Sequence, residues 1–116
     1  MKNVKVSAAL ILILLLGATG CRSHVIKVNV TNTSSQAISN IVVDYPGATF
    51  GISSLTPGKT FLYAIKPYET GMIRIQFTNA AGAIHTYTGT KVKKGDQGTI
   101  DVVLTQDSVM PRAAFR

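Results

Sequence analysis

The chain has 116 residues, carries 12 Lys and Arg against 5 Asp and Glu for a formal charge of +7, and is 46% hydrophobic. That length is enough for one small domain and not two, and that apolar content excludes a chain too polar to bury a core. Its single cysteine, Cys21, excludes a framework of disulfides.

In chain order, Lys2 and Lys5 precede an almost unbroken apolar run of eleven residues, 6–16. Gly17, Ala18, Thr19 and Gly20 follow, and then Cys21. A cationic start, an apolar middle and a small-residue exit describe a secretory signal peptide. A bilayer-spanning helix needs roughly 20 apolar residues, so the run is too short to serve as a stable span.

With a cysteine directly after the small residues, this segment resembles the lipobox of bacterial lipoproteins, although leucine is more usual than Ala18 at its place. The resemblance implies that the Cys21 thiol receives a diacylglycerol, that the chain is cut before Cys21, and that the new amino group is acylated. It divides the chain into a signal peptide over 1–20 and a lipidated N-terminus with a short linker over 21–24. Arg22, rather than the aspartate that holds Gram-negative lipoproteins at the inner membrane, implies the outer membrane facing the periplasm in such a host. The alternative is a secreted, unlipidated protein, because Ala18-Thr19-Gly20 also fits a small-x-small cleavage site. Against it, a lone exposed thiol in an oxidising compartment pairs between molecules.

Removing residues 1–20 leaves 96, with ten Lys and Arg against five acids. This excess favours anionic surroundings such as phospholipid headgroups, lipopolysaccharide or peptidoglycan carboxylates, or simply keeps the surface soluble. An exported, tethered protein has no nucleic acid to meet.

Beyond Cys21 the pattern alternates every two residues, with turn residues at short intervals, which predicts strands. Ile26, Val28 and Val30 mark a strand over 25–32, followed by the polar turn 33–36. Ile41, Val43 and Tyr45 share one face of a strand over 38–45, which Pro46-Gly47 ends. A short strand over 49–52 precedes a loop at 53–59, and Phe61, Tyr63 and Ile65 mark a strand over 60–65. Ile73, Ile75 and Phe77 alternate with Arg74, Gln76 and Thr78, and Asn79-Ala80-Ala81-Gly82 reads as a hairpin loop with Gly82 at positive φ. Residues 83–89 return, with Ile84 or Tyr87 facing inward according to register. A basic loop spans 91–98, and Ile100, Val102 and Leu104 define a last strand over 99–105. Residues 106–116, interrupted by Pro111, read as a flexible C-terminal tail.

About seven short strands predict an all-β, single-domain antiparallel β-sandwich over 25–105. The segments Val28-Asn29-Val30-Thr31-Asn32-Thr33, Ile38-Ser39-Asn40-Ile41-Val42-Val43 and Leu55-Thr56-Pro57-Gly58 resemble bacterial Ig-like modules of the fibronectin type. The buried Trp and paired Cys of antibody domains are absent, and Phe61 stands where such domains often carry a tyrosine. The resemblance implies a fold and no particular task.

Catalytic inventory is thin. His24 lies three residues past Cys21, and His85 is expected on a solvent-facing position opposite Ile84. A nucleophile–base–acid set would need His85 beside a serine and a carboxylate, and its neighbours are Thr86 and Thr88. Gly95-Asp96-Gln97-Gly98 offers one aspartate where a calcium loop needs six to eight oxygens, so a hairpin turn is expected. Asn29-Val30-Thr31 and Asn32-Thr33-Ser34 fit the glycosylation pattern but read as strand and turn composition. Neither a cofactor nor a metal is expected. Lys91, Lys93 and Lys94 are the candidate contact for an anionic surface, with Val92 turned toward the domain. The expectation is a lipid-anchored cell-envelope protein acting as a binding or structural module without catalysis. It would be held to the membrane through Cys21 and meet another envelope protein or an anionic envelope polymer. An envelope enzyme or inhibitor acting through His85 is the further alternative.

Overall fold

The computed structural model describes residues 24–116, so the signal-like segment and Cys21 lie outside the described residues. Eight strands follow in order: β1 (Ile26–Asn32), β2 (Ile38–Tyr45), β3 (Ala48–Leu55), β4 (Thr60–Ile65), β5 (Gly71–Thr78), β6 (Ile84–Val92), β7 (Gly98–Leu104) and β8 (Val109–Phe115). They form two four-stranded sheets, ordered β4-β1-β7-β8 and β3-β2-β5-β6, packed face to face as a β-sandwich. Every pairing is antiparallel except β1 with β7, which run parallel from Ile26↔Gly98 to Asn32↔Leu104.

The strands form where β-branched and aromatic residues recur at alternate positions, because such side chains fit a pleated, half-buried surface. The buried core lies between Ile26 and Leu104, with Ile26, Val28 and Val30 facing Ile41, Val43, Ile73, Ile75 and Phe77 across the sandwich. Burying each of these side chains contributes about 1.5–3 kcal/mol. Among the described residues, the core runs from Ile26 to Leu104. On one side, stacked rings seal the seam between β3 and β4: Phe50 lies 4.2 Å from Tyr63 and 6.3 Å from Phe61 between centroids.

Two strands change phase part-way. In β2 the inward residues are Ile38, then Ile41 and Val43, and the register with β5 shifts between Ser39 and Val42. In β6 the inward side carries His85, Tyr87 and Gly89 but then Val92, and the register with β5 shifts between Met72 and Ile73. Each shift contains a residue at positive φ, Asn40 at 50° and Thr90 at 59°. A bulged residue in the left-handed region adds one position to its strand and so exchanges the two faces beyond it.

The expected tail is where the structure departs most from the sequence pattern. Residues Val109–Phe115 form β8, paired with β7 from Leu104↔Val109 to Gly98↔Phe115. The turn before it closes on itself: Thr105 N–H donates to Ser108 O at 3.0 Å, and Ser108 N–H donates to Thr105 Oγ1 at 3.0 Å. Pro111 hides the strand in the sequence, yet an edge strand accommodates a residue that cannot donate. The basic loop is also shorter than expected, since β6 continues to Val92 and β7 begins at Gly98. β3 is longer than the predicted 49–52 because its pairing with β2 continues out to Ile38↔Leu55.

A Cβ on Gly98 would overlap the Ala114 carbonyl and meet Phe115 Cα at 2.9 Å. Gly98→Ala must therefore push β8 away from β7. We expect it to destabilise the domain by about 1–3 kcal/mol in urea unfolding and to speed hydrogen exchange selectively in β8. An unchanged midpoint would mean that β8 does not lie against Gly98.

Candidate functional site

The sandwich has two poles of different chemistry. One gathers the connections β1–β2, β3–β4, β5–β6 and β7–β8; the other gathers β2–β3, β4–β5 and β6–β7 together with both ends of the described chain.

At the first pole Asn32 continues the inward alternation of β1 and is fully buried, at 0% exposure. Its Nδ2 donates to Leu55 O at 2.8 Å and to Gln36 O at 2.9 Å, while Oδ1 accepts from Ser34 N–H at 2.9 Å and Ser34 Oγ at 2.6 Å. Its backbone carbonyl accepts from Gly58 N–H at 2.7 Å. Gln106 extends the network, donating from Nε2 to Ser34 Oγ at 2.8 Å and accepting at Oε1 from Ala80 N–H. Asn79, also buried, donates to Gln106 O at 3.0 Å, and its Oδ1 accepts from the backbone of Ala81 and Ala83.

His85 belongs to this network rather than to solvent. The register pairs Ile84 with Thr78 and His85 with Phe77, so Ile84 is the outward residue, at 65% exposure, and His85 stacks on Phe77 at 5.2 Å. The two backbone donors on Asn79 Oδ1 fix that amide, so its Nδ2 faces His85 Nε2 at 3.3 Å, and this nitrogen must be the bare acceptor. The groups around His85 thus hold a loop closed. The side-chain amide of Asn32 is likewise taken up by these hydrogen bonds within a strand end.

At the second pole the three predicted lysines are exposed. Without the bulge at Thr90, Lys91 would point into the sandwich. With it, Lys91 pairs beside Met72 on the outer face and Val92 fills the core at 0% exposure. The loop after β6 turns at Gly95, φ 86°, where Asp96 Oδ2 accepts from Lys93 N–H at 2.9 Å. That carboxylate is thus spent on its own turn. Two cations not singled out in the sequence join the lysines here: Lys66, one residue past Ile65, which pairs with Ile26, and Arg116, whose N–H donates to Gln97 O at 2.8 Å. Both were missed because their strands meet this end only through long-range pairing. His24 Nδ1 lies 3.0 Å from Gln97 Oε1, which fastens the start of the described chain to the same loop.

Lys66, Lys91, Lys93, Lys94 and Arg116, with Lys27 one residue into β1, are opposed at this pole by Glu69, Asp96 and, one residue from the end of β2, Asp44, whereas the first pole carries only Lys59 and Asp107. Tyr68 stands out beside the cations at 72% exposure and is held by its N–H to Pro46 O at 3.1 Å. Tyr45 lies behind it; burial first, then the nearby Tyr63 and Tyr68, pushes its phenol above the ordinary value. Cys21 lies outside the described residues. Among the described residues, no group of three or more His, Cys, Asp or Glu is placed to hold a metal ion. A shallow depression on the outer face of β7 and β8 is lined by Asp101, Val103, Met110, Pro111 and Arg112.

Compared with known proteins, the chain matches no family model, no curated protein and no solved structure.

Asn32→Ala would leave the Leu55 and Gln36 carbonyls and the Ser34 donors without their partner. We expect a loss of about 2–4 kcal/mol in urea unfolding. A loss below about 0.5 kcal/mol, the usual surface value, would show that the pole is held by other contacts.

Proposed function

We propose that this chain is a lipid-anchored protein of the bacterial cell envelope whose β-sandwich serves as a non-catalytic binding or structural module. The observation that carries the reading is the order Lys2, Lys5, apolar run, small residues, Cys21. A sandwich that begins at Ile26 supports it, because only a few residues separate Cys21 from the domain. The finer reading of the sandwich as an Ig-like module rests on the three segments from β1, β2 and the Leu55–Gly58 turn. Its partners on this reading are the membrane, through the lipid on Cys21, and a second envelope protein or an anionic envelope polymer. Arg22 supports residence at the outer membrane, facing the periplasm.

The lipid itself decides how firmly the domain is held. Each buried methylene contributes about 0.8 kcal/mol, and one myristoyl chain gives only marginal attachment, so two or three long chains on one residue hold permanently.

Radiolabelled palmitate should enter the wild-type protein, and Cys21→Ser should abolish the label and move the protein out of the membrane fraction. Mass spectrometry should place the mature terminus at Cys21. An unmodified thiol there, or a variant that stays fully membrane-bound, would overturn the reading.

A further inference from the structure

We infer that the pole bearing Lys66, Lys91, Lys93, Lys94 and Arg116 is a membrane-apposed surface that seats the sandwich upright on anionic phospholipid headgroups. The inference rests on the reading of Cys21 as the lipid site and adds the orientation and the lipid chemistry.

Two residues separate Cys21 from His24, so the Cα atoms of Cys21 and His24 lie at most about 11 Å apart. His24 is fastened to Gln97 in the basic loop, and Val25 O accepts from Gly98 N–H at 3.3 Å. A lipid on Cys21 therefore keeps the headgroups within about 11 Å of His24, and so beside this pole rather than the opposite one.

Charge then decides which way the pole turns. With Lys27 one residue into β1, six exposed cations face Asp44, Glu69 and Asp96 here, while the opposite pole balances one lysine against one aspartate. None of the Lys91, Lys93 or Lys94 side chains is engaged in a hydrogen bond or ion pair with the described residues. Tyr68, exposed beside them, has the amphipathic ring that favours the headgroup level. Phospholipid is favoured over a soluble anionic polymer because the tether fixes the bilayer, and not the polymer, at this distance. Strands of seven to nine residues rising about 3.3 Å each place the opposite pole about 25 Å above the headgroups. The Asn32 and Asn79 loops are then the ones presented outward.

The test uses the unlipidated chain 22–116, which holds every described residue of the core, from Ile26 to Leu104, with sedimentation on phosphatidylcholine vesicles and on vesicles that also contain phosphatidylglycerol. Binding should require phosphatidylglycerol. Lys91→Gln, Lys93→Gln and Lys94→Gln together should weaken it roughly five-fold per cation, on the order of 100-fold in all. The control set Lys59→Gln, at the opposite pole, and Arg112→Gln, in the middle of β8, should stay within about three-fold of wild type. Urea midpoints report that both sets remain folded. Equal losses in the two sets, or no preference for phosphatidylglycerol, would overturn the inference. Because the domain lacks the lipid, those outcomes are independent of palmitate labelling at Cys21, which tests the anchor alone.

Discussion

The buried amide of Asn32 is the centre of the network that holds together the pole where β1–β2, β3–β4, β5–β6 and β7–β8 connect. Its four side-chain hydrogen bonds reach the β1–β2 turn and the last carbonyl of β3, while its backbone carbonyl takes the Gly58 N–H of the β3–β4 turn. Through Ser34 the same network passes to Gln106 and on to Asn79, so that the two sheets are joined by polar contacts at their end as well as by the apolar core between them. A buried amide is tolerable only when its donors and acceptors are all met, and here they are. No cysteine pair braces the domain, and this network supplies directional contacts that the core alone does not.

A different device, a bulge, stands near each pole. Asn40 and Thr90 each sit at positive φ and each reverse the facing of the strand that follows. Asparagine takes that conformation readily, whereas a β-branched threonine takes it at a cost. At Thr90 the result is a strand end that buries Val92 and turns Lys91 outward, which is the condition for the lysines to share an accessible surface. Folding and surface chemistry are coupled at that residue: the reversal that completes the core also exposes the cations.

The two poles divide the labour of the domain. Side-chain amides and hydroxyls with almost no charge hold one, and cations surround the chain's entry at the other. Hydrogen-bonded amides are insensitive to salt, whereas the cationic end acts at a range set by ionic strength. On the proposed reading of Cys21 as a lipid site, the attachment falls beside that second end rather than the first.

Much of this architecture is legible in the chain itself. The alternation of Ile26, Val28 and Val30, of Ile73, Ile75 and Phe77, and of Ile100, Val102 and Leu104 determines which elements are strands and which faces are apolar, because that pattern is local. The hairpin at Asn79–Gly82 is local too, and Gly82 adopts the expected positive φ, 84°. By contrast β8 could not be read from a stretch containing Pro111, since what makes it a strand is the free edge of β7. His85 faces Phe77 rather than solvent because pairing with β5 sets the register. The role of Asn32 was hinted at only by a polar residue standing in an inward position. Lys66 and Arg116 join the lysines solely because parallel and antiparallel pairing on either side of β7 returns distant segments to one end. An all-β sandwich and its core follow from local alternation; facing, neighbours and the charge of each pole follow from register between strands far apart in the chain, which no local pattern encodes.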